Sequence, residues 1–342
     1  MKLKKVALLI MSAFLLLLTA GCGTVSTGAA KEKGNYNLKL SITTSESSTW
    51  YMGAKLFADE VEEKTEGRIK VKIYPNEQLS AGDPGKGVEM LMKGSTDISF
   101  HSPIIYSVFE KRLGVVTAPF LFKKLEEADR AMNGEGGEAL KEILKENEIQ
   151  LLGFGESGFR QVTNNVHPIK EPEDLQNLKI RIPGIKMYTD LWRNLGADPT
   201  AMSFSEVFTA LQQGTIDGQE NPIDVIKSSK LEEVQKYLSM WNYSYDPLIF
   251  GMNKEKFDSM HPEDQKILLD AGKKATKFQI EKARETEQKQ IEELKAAGME
   301  LYYPNDEEIE AFRNASESIY QKYEPVWGSE LLDKFQQSSE GR

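Results

Sequence analysis

Short segments with the two-residue alternation of a β-strand follow one another along this chain, with helical segments between them. Residues 38–43 and 68–74 alternate apolar and polar side chains, as a half-buried strand does. Residues 50–64, between them, place apolar side chains at helical spacing, and Gly67 follows as a helix terminator. This order predicts an α/β fold with largely parallel sheets, because parallel neighbours need a helical connection between them.

The same order continues through most of the 342 residues. We predict further strands at 97–100, 150–154, 178–182 and 216–219, and further helices at 88–93, 125–133, 138–147, 188–195 and 205–213. The length suits two domains of ordinary size. Apolar residues make up 39% of the chain, which is enough to build a core in each domain.

The longest predicted element begins after Pro262. Residues 263–297 contain no proline and one glycine, Gly272, and alanine and charged residues occur throughout. Glu285 and Lys289 have the i,i+4 spacing that supports a helix. We therefore predict one helix of about 35 residues, roughly 50 Å long; two helices broken at Gly272 are the alternative. A helix of this length can extend across two domains.

The N-terminus has the three parts of a secretory signal: lysines, an apolar run and small residues. The apolar run at 6–18 has 13 residues, too few for a transmembrane helix, because spanning a bilayer takes about 20. The sequence LTAGC at 18–22 resembles a bacterial lipobox, although its leucine lies four residues before the cysteine where three is usual. We therefore predict a signal peptide at 1–21 and a diacylglyceryl group on Cys22; a plain cleaved signal is the alternative.

Composition excludes several kinds of site. Cys22 is the single cysteine, so an internal disulfide, a CxxC pair and a cysteine zinc site are excluded. The three histidines stand apart from one another, and no metal site is predicted. The formal net charge is −10, and −13 once the three lysines of residues 1–21 are removed, which argues against nucleic-acid or anionic-lipid partners. Residues 22–35 are small, polar and glycine-rich, and they predict a flexible tether.

A formal GxGxxG pattern occurs at 153–158. A dinucleotide site needs its third glycine to open a helix whose N-terminus meets the pyrophosphate. Residues 159–163 alternate like a strand instead, so the sequence argues against a nucleotide site. We expect these glycines to let the chain bend between domains. No paired-carboxylate, G-x-S-x-G or H-E-x-x-H context indicates an enzyme.

Two arginines lie inside strand-like segments, where a charged side chain needs a partner. Arg160 belongs to the segment 159–163, and Arg181 lies between two isoleucines in the segment 178–182. A guanidinium directed inward needs an anion, and its planar fork suits a carboxylate bidentately. The anion can be a ligand or an internal Asp or Glu, and the residues alone leave both alternatives open.

Four blocks of sequence resemble those of the extracellular solute receptors of TRAP transporters (DctP-like, family 7). They are GFRQVTN at 158–164, LKIRIP at 178–183, FSEVFTALQ at 204–212 and DGQENP at 217–222, and the last two together are long and specific. The resemblance covers residues 36–330. It implies two α/β domains that are joined by crossing strands and a long helix and that close on a ligand like a flytrap. The implied domains are 36–157 with 247–290, and 158–246 with 291–330.

The resemblance also implies roles for single residues. Arg181 would hold a ligand carboxylate, Arg160 would be a second anion donor in the same cleft, and Asn221 would hydrogen-bond the same carboxylate. Phe204 would form an apolar wall of the cleft. The first domain would contribute its rim from residues 43–49 and 101–103.

Within that rim, Thr43 and Ser102 are the candidate ligand contacts. Two departures from the family pattern lie at Gly184-Ile185 and at Asn242-Tyr243. The resemblance implies that these positions face the part of the ligand distal to its carboxylate, so Tyr243 is a further candidate contact.

By the same resemblance, the protein is expected to deliver a small organic acid anion to the membrane subunits of a TRAP transporter. A C4-dicarboxylate or a sugar acid such as a uronate would be the ligand. The protein would be an extracytoplasmic monomer anchored by Cys22, without cofactor, metal or catalysis. A ligand-sensing receptor for a membrane kinase and an anchored hydrolase are the alternatives.

Overall fold

Nine strands form one mixed sheet in the computed structural model, which describes residues 33–340. The strands are β1 (Tyr36–Ile42), β2 (Ile69–Tyr74), β3 (Ile98–His101), β4 (Ile149–Asn164), β5 (Lys179–Ile182), β6 (Asp198–Ala201), β7 (Gly218–Pro222), β8 (Tyr237–Asn253) and β9 (Glu300–Tyr302). Their spatial order is β2-β1-β3-β8-β4-β7-β5-β6, and β9 pairs with β8. The predicted α/β class is confirmed.

Helices connect and cover these strands. They are α1 (Thr49–Lys64), α2 (Pro84–Met92), α3 (Pro103–Tyr106), α4 (Leu125–Asn133), α5 (Glu135–Glu146), α6 (Lys186–Asn194), α7 (Val207–Gln212), α8 (Ile223–Ser228), α9 (Lys254–Ser259), α10 (Pro262–Ala296), α11 (Asp306–Trp327) and α12 (Ser329–Glu340). Short 3₁₀ helices lie at Gln78–Ser80, Lys111–Thr117, Pro172–Leu175, Phe204–Glu206 and Leu231–Glu233. Capping side chains define several starts, such as Ser48 before α1 and Asn305 before α11.

The centre of the sheet is antiparallel, so the prediction of largely parallel sheets is wrong there. β1 pairs in parallel with β2 and β3, and β5 pairs in parallel with β6 and β7. β4 and β8 pair antiparallel with each other. Strand β4 takes the chain from the group β1–β3 to the group β5–β7, and β8 returns it to the first group. The two strands are antiparallel because they cross between the groups in opposite directions.

The glycines of the GxGxxG pattern lie inside β4 and not before a helix, as the sequence predicted. Gly158 has a φ of 95° and lies at a register shift in the pairing with β8. A Cβ on Gly153 would lie 2.5 Å from Oγ1 of Thr276 on α10, and a Cβ on Gly155 would lie 2.6 Å from the ring of Phe100. Gly158 therefore permits a bend, whereas the other two glycines permit close packing.

Helix α10 is continuous from Pro262 to Ala296, so the predicted long helix is confirmed and the broken alternative is wrong. A Cβ on Gly272 would lie 2.6 Å from the carbonyl oxygen of Leu152 on β4. The glycine thus lets the helix lie directly against the central strand. Two helical turns further along α10, the side-chain amide of Gln279 accepts a hydrogen bond from the backbone N–H of Glu156 at 2.8 Å and donates one to its carbonyl oxygen at 2.7 Å.

Two buried clusters hold the central strands in place. One lies between β1–β3, α1 and α10, where the ring of Phe250 contacts those of Phe57 and Phe100. The other surrounds β8, where the ring centroids of Trp241 and Tyr243 are 4.8 Å apart. Full burial of a large apolar side chain contributes about 1.5–3 kcal/mol. These clusters therefore fix the strands that carry the side chains of the site.

The predicted signal peptide, the lipidated Cys22 and most of the predicted tether lie outside the described residues. Within residues 33–340, no helix combines the length and the apolar character that a membrane crossing requires. The chain from Lys33 onward forms one unit of contacts, and the domain boundaries given above stay predictions.

Candidate ligand-binding site

A cavity that opens to solvent lies where the two parallel groups of strands approach each other, and its empty volume, counted out into the solvent at its mouth, is about 460 Å³. Its lining is formed by Thr43, Thr44, Trp50, Pro84, Ser102, Ile104, Ile105, Arg160, Arg181, Pro183, Phe204, Asn221, Val225 and Asp246. The structure thus brings together six of the seven ligand contacts that the sequence analysis named. The seventh, Tyr243, does not line the cavity.

A row of polar side chains crosses the floor of this cavity on four neighbouring strands. Asp246 lies on β8, Arg160 on β4, Asn221 on β7 and Arg181 on β5. Strand pairing brings them close together, since Asp246 is opposite Gly158, two residues before Arg160, and Asn221 is opposite Gln161, the residue after Arg160. Residues up to 86 positions apart in sequence therefore share one surface.

Arg181 is buried without a carboxylate partner among the described residues. Its side chain is 4% exposed, and its Nε and Nη2 both donate to the carbonyl oxygen of Met202, at 3.1 and 2.9 Å. The ring of Phe204 lies 5.5 Å from its guanidinium carbon. Burial lowers the pKa of Arg181 to about 10, against the raising effect of the more distant Glu220. Nη1 bonds to no acceptor within residues 33–340, so one edge of the guanidinium is free to take an anion.

Arg160 has the opposite environment. Nη1 donates to Oδ2 of Asp246 at 2.5 Å, Nη2 donates to Oε1 of Glu220 at 2.9 Å, and Nε donates to the second oxygen of Glu220. Nη2 also reaches Oδ1 of Asn221 at 3.1 Å. Burial alone would lower the pKa of Arg160, but the charges of Glu220 and Asp246 raise it well above its ordinary value. The internal pairing left open by the sequence is therefore found for Arg160 and not for Arg181.

Tyr243 supports this cluster from behind the cavity. Its hydroxyl donates to Oε2 of Glu220 at 2.5 Å, and its side chain is fully buried. The neighbouring Asn242 is exposed and accepts a hydrogen bond from Gln161. The departure from the family pattern at 242–243 thus places Tyr243 against Glu220, one of the ion-pair partners of Arg160, whereas the resemblance implies that Tyr243 faces the ligand.

The predicted rim residues differ in what they contact. Ser102 donates to Oδ1 of Asp246 at 2.5 Å, and Thr43 donates to Oε1 of Glu77 at 2.8 Å. His101 turns away from the cavity lining and bonds to the same carboxylate of Glu77. Within the described residues, no cluster of His, Cys, Asp and Glu has the form of a metal site.

Two polar lining residues were missed by the sequence analysis. Asp246 is the single acidic residue in the 17 residues of β8, and that isolation was a usable signal. Trp50, on α1, is 4% exposed, and its indole N–H has no acceptor in the structure. Trp50 carried no signal, because an aromatic residue on an amphipathic helix is ordinarily part of a core.

Comparisons with known proteins agree on one family. The pattern of the bacterial extracellular solute-binding proteins of family 7, DctP, matches residues 40–325. The chain is 34% identical over 324 residues to the 2,3-diketo-L-gulonate-binding periplasmic protein YiaO of Escherichia coli, covering 92% of this chain and 95% of that protein.

Solved structures give the same result. A TRAP periplasmic solute-binding protein from Ralstonia eutropha with bound (S)-2-acetolactate matches with a TM-score of 0.87 and 33% identity, over 90% of this chain and 99% of that one. The sugar acid binding protein DctPAm from Advenella mimigardefordensis, in complex with galactonate, matches with a TM-score of 0.87 and 28% identity, over 91% and 99%. The predicted two-domain fold with a long helix is thereby confirmed.

Proposed function

Because this chain belongs to the family 7 bacterial extracellular solute-binding proteins, the TRAP periplasmic receptors for organic acids, we propose that Arg181 holds its ligand by the carboxylate. The receptor then passes the bound acid to the membrane subunits of a TRAP transporter. It performs no chemistry on the ligand.

The contrast between the two cavity arginines supports this proposal. Arg160 forms ion pairs with two internal carboxylates, whereas the one hydrogen-bond acceptor of Arg181 within residues 33–340 is the carbonyl oxygen of Met202. A buried cation without a partner is costly, and a ligand carboxylate supplies the missing charge and accepts from the free edge of the guanidinium. Asn221 is held by Arg160 and by Gln219, and its remaining amide hydrogen is available to a ligand oxygen.

The ligands of the relatives support the same chemistry. The three proteins compared above bind 2,3-diketo-L-gulonate, acetolactate and galactonate, and each of these is an organic acid. Phe204, whose ring lies beside the guanidinium of Arg181, provides an apolar wall that shields the ion pair from water. Exclusion of water strengthens a charge-assisted hydrogen bond.

Calorimetric titration of Arg181→Ala with galactonate tests the proposal. Loss of one partner of a buried ion pair costs about 2–5 kcal/mol, which is roughly 30- to 5,000-fold in Kd. Arg181→Lys recovers only part of the affinity, because an ammonium cannot form the planar fork. Arg193→Ala, which changes an exposed arginine on α6, serves as the matched control and keeps parental affinity. Binding by folded Arg181→Ala within threefold of the parent would mean that the carboxylate is held elsewhere.

The lipid anchor is a second part of the proposal. Its support is the lipobox-like sequence that ends in the single cysteine of the chain, Cys22. Mass spectrometry of the protein from its native membrane is expected to show a chain that starts at Cys22 and carries a diacylglyceryl adduct. An unmodified chain cut at another residue would show instead a plain signal peptide.

A further inference from the structure

Asp246 is the one acidic side chain in the described lining of the cavity. It lies on β8, and Arg181 lies on β5, with β4 and β7 between them. Neighbouring strands are about 4.8 Å apart, so the two backbones are roughly 14 Å apart across three intervals. One end of the cavity thus presents a cation without a carboxylate partner in residues 33–340, and the other end presents a carboxylate that is paired with Arg160.

The carboxylate of Asp246 has capacity left for a ligand. Oδ1 accepts from Ser102 and Oδ2 accepts from Arg160, each at 2.5 Å. An ionised carboxylate offers about four lone-pair sites, so two remain to accept a hydrogen bond from a donor in the cavity. A ligand hydroxyl can supply that hydrogen, whereas a ligand carboxylate cannot.

Arg160 does not offset a second ligand carboxylate at this end. Its single positive charge already faces two negative ones, those of Glu220 and Asp246. A further carboxylate would therefore enter a group with an excess of negative charge, in a place where little water screens it. Burial raises the pKa of Asp246 even with Arg160 beside it, and the nearby charge of Glu220 acts in the same direction.

We propose that Asp246 determines specificity by accepting a hydrogen bond from a ligand hydroxyl and repelling a second carboxylate. The receptor therefore takes hydroxylated monocarboxylic acids and discriminates against dicarboxylic acids of the same length. This inference rests on the proposed function, because it requires Arg181 to hold the first carboxylate. Of the two ligand classes expected from the sequence, the inference favours the sugar acids over the C4-dicarboxylates.

Matched pairs of acids test the inference by calorimetric titration near pH 7.5. D-Erythronate is paired with meso-tartrate and galactonate with galactarate, so that each pair differs only in whether the terminal carbon is a hydroxymethyl group or a carboxylate. The wild-type protein is expected to bind at least one monoacid 50-fold or more tighter than its diacid. Asp246→Asn keeps an acceptor for Ser102 but removes the charge, and it is expected to reduce this ratio below tenfold.

Asp190→Asn provides the matched control, because Asp190 lies outside the cavity and pairs with Lys322 and Tyr323. Its ratio is expected to equal that of the parent. A diacid that binds wild type as tightly as its monoacid, or an unchanged ratio in folded Asp246→Asn, would overturn the role of Asp246 and leave Arg181 in place. If Asp246→Asn does not fold, the ratio of the diacid Kd to the monoacid Kd in the wild-type protein decides whether the inference holds. Failure of all four acids to bind would overturn the proposed function together with this inference.

Discussion

Arg160 and Arg181 lie in one cavity, yet they have different tasks. The guanidinium of Arg160 joins β4 to β7 and β8 through Glu220 and Asp246, and so belongs to the folded framework. The guanidinium of Arg181 is buried against a carbonyl and a ring, with no opposite charge within ion-pair distance in residues 33–340. Removal of each arginine should therefore affect the ligand-free protein differently.

We expect Arg160→Ala to lower the free energy of unfolding by about 3–5 kcal/mol, because it leaves two buried carboxylates uncompensated. Arg181→Ala should leave the free energy of unfolding unchanged or raise it, because it removes a buried charge that lacks a partner. Urea denaturation without ligand measures both. Equal losses in the two variants would show that Arg181 has an internal role equivalent to that of Arg160.

The sequence could place both arginines near the ligand but could not tell them apart. Arg181 between two isoleucines and Arg160 in an alternating segment both indicate strand positions. The partners of Arg160 lie 60 and 86 residues away, and the pairing of β4 with β7 and β8 brings them together. Which guanidinium stays unpaired is therefore a consequence of strand register, which no local pattern contains.

At the scale of elements, predictability depended on how clear the local sequence pattern was. Helix α10 was predicted within one residue at each end, because the segment is long, free of internal proline and rich in alanine and in charged residues at helical spacing. Strand β8 was missed although Trp241, Tyr243 and Tyr245 alternate with polar residues, because the strand is almost entirely buried and its residues 247–252 form a run without alternation. A continuous apolar run gives no period from which a strand can be distinguished from a buried helix.

Gly272 shows how packing against a strand can reverse a helix propensity. A glycine-to-alanine change inside an exposed helix ordinarily stabilises it by up to about 1 kcal/mol. At position 272 the new Cβ would meet the carbonyl oxygen of Leu152 at 2.6 Å. We therefore expect Gly272→Ala to destabilise the protein by about 1–3 kcal/mol, the usual cost of overpacking.

Urea denaturation of Gly272→Ala measures this change, with Lys273→Ala as the control. Lys273 is the exposed neighbour on the same helix, and its substitution should shift the free energy of unfolding by less than about 0.5 kcal/mol. A Gly272→Ala protein more stable than its parent would mean that α10 can move away from β4 at no cost.

For the whole molecule, hydrogen bonds join the two predicted domains through residues that adjoin the cavity lining at Thr44, Trp50 and Val225. Asp224, at the start of α8, accepts from the backbone N–H and the hydroxyl of Thr49, at 3.1 and 3.0 Å. The hydroxyl of Ser45 donates to the carbonyl oxygen of Ser228 at 3.0 Å. These contacts join α1 and the loop before it to α8, and they describe a closed arrangement around the ligand site.

We expect the ligand-free protein to open about β4 and β8, with these contacts broken. Rotation about two crossing strands needs only local changes in backbone angles, and Gly158 already lies outside the usual β region. Small-angle X-ray scattering should give a smaller radius of gyration with saturating galactonate than without ligand. The same radius in both states, at saturation confirmed by calorimetry, would indicate a receptor that binds without closing.

Trp50 gives the molecule an optical reporter of its own. The chain contains four tryptophans, and Trp192, Trp241 and Trp327 lie outside the cavity lining that includes Trp50. Because Trp50 lines the space that a ligand would fill, its emission should respond directly to a bound ligand. Trp241 lies on β8, about which the protein is expected to open, so we expect Trp50→Phe to remove most, but not all, of the change in intrinsic fluorescence on ligand addition.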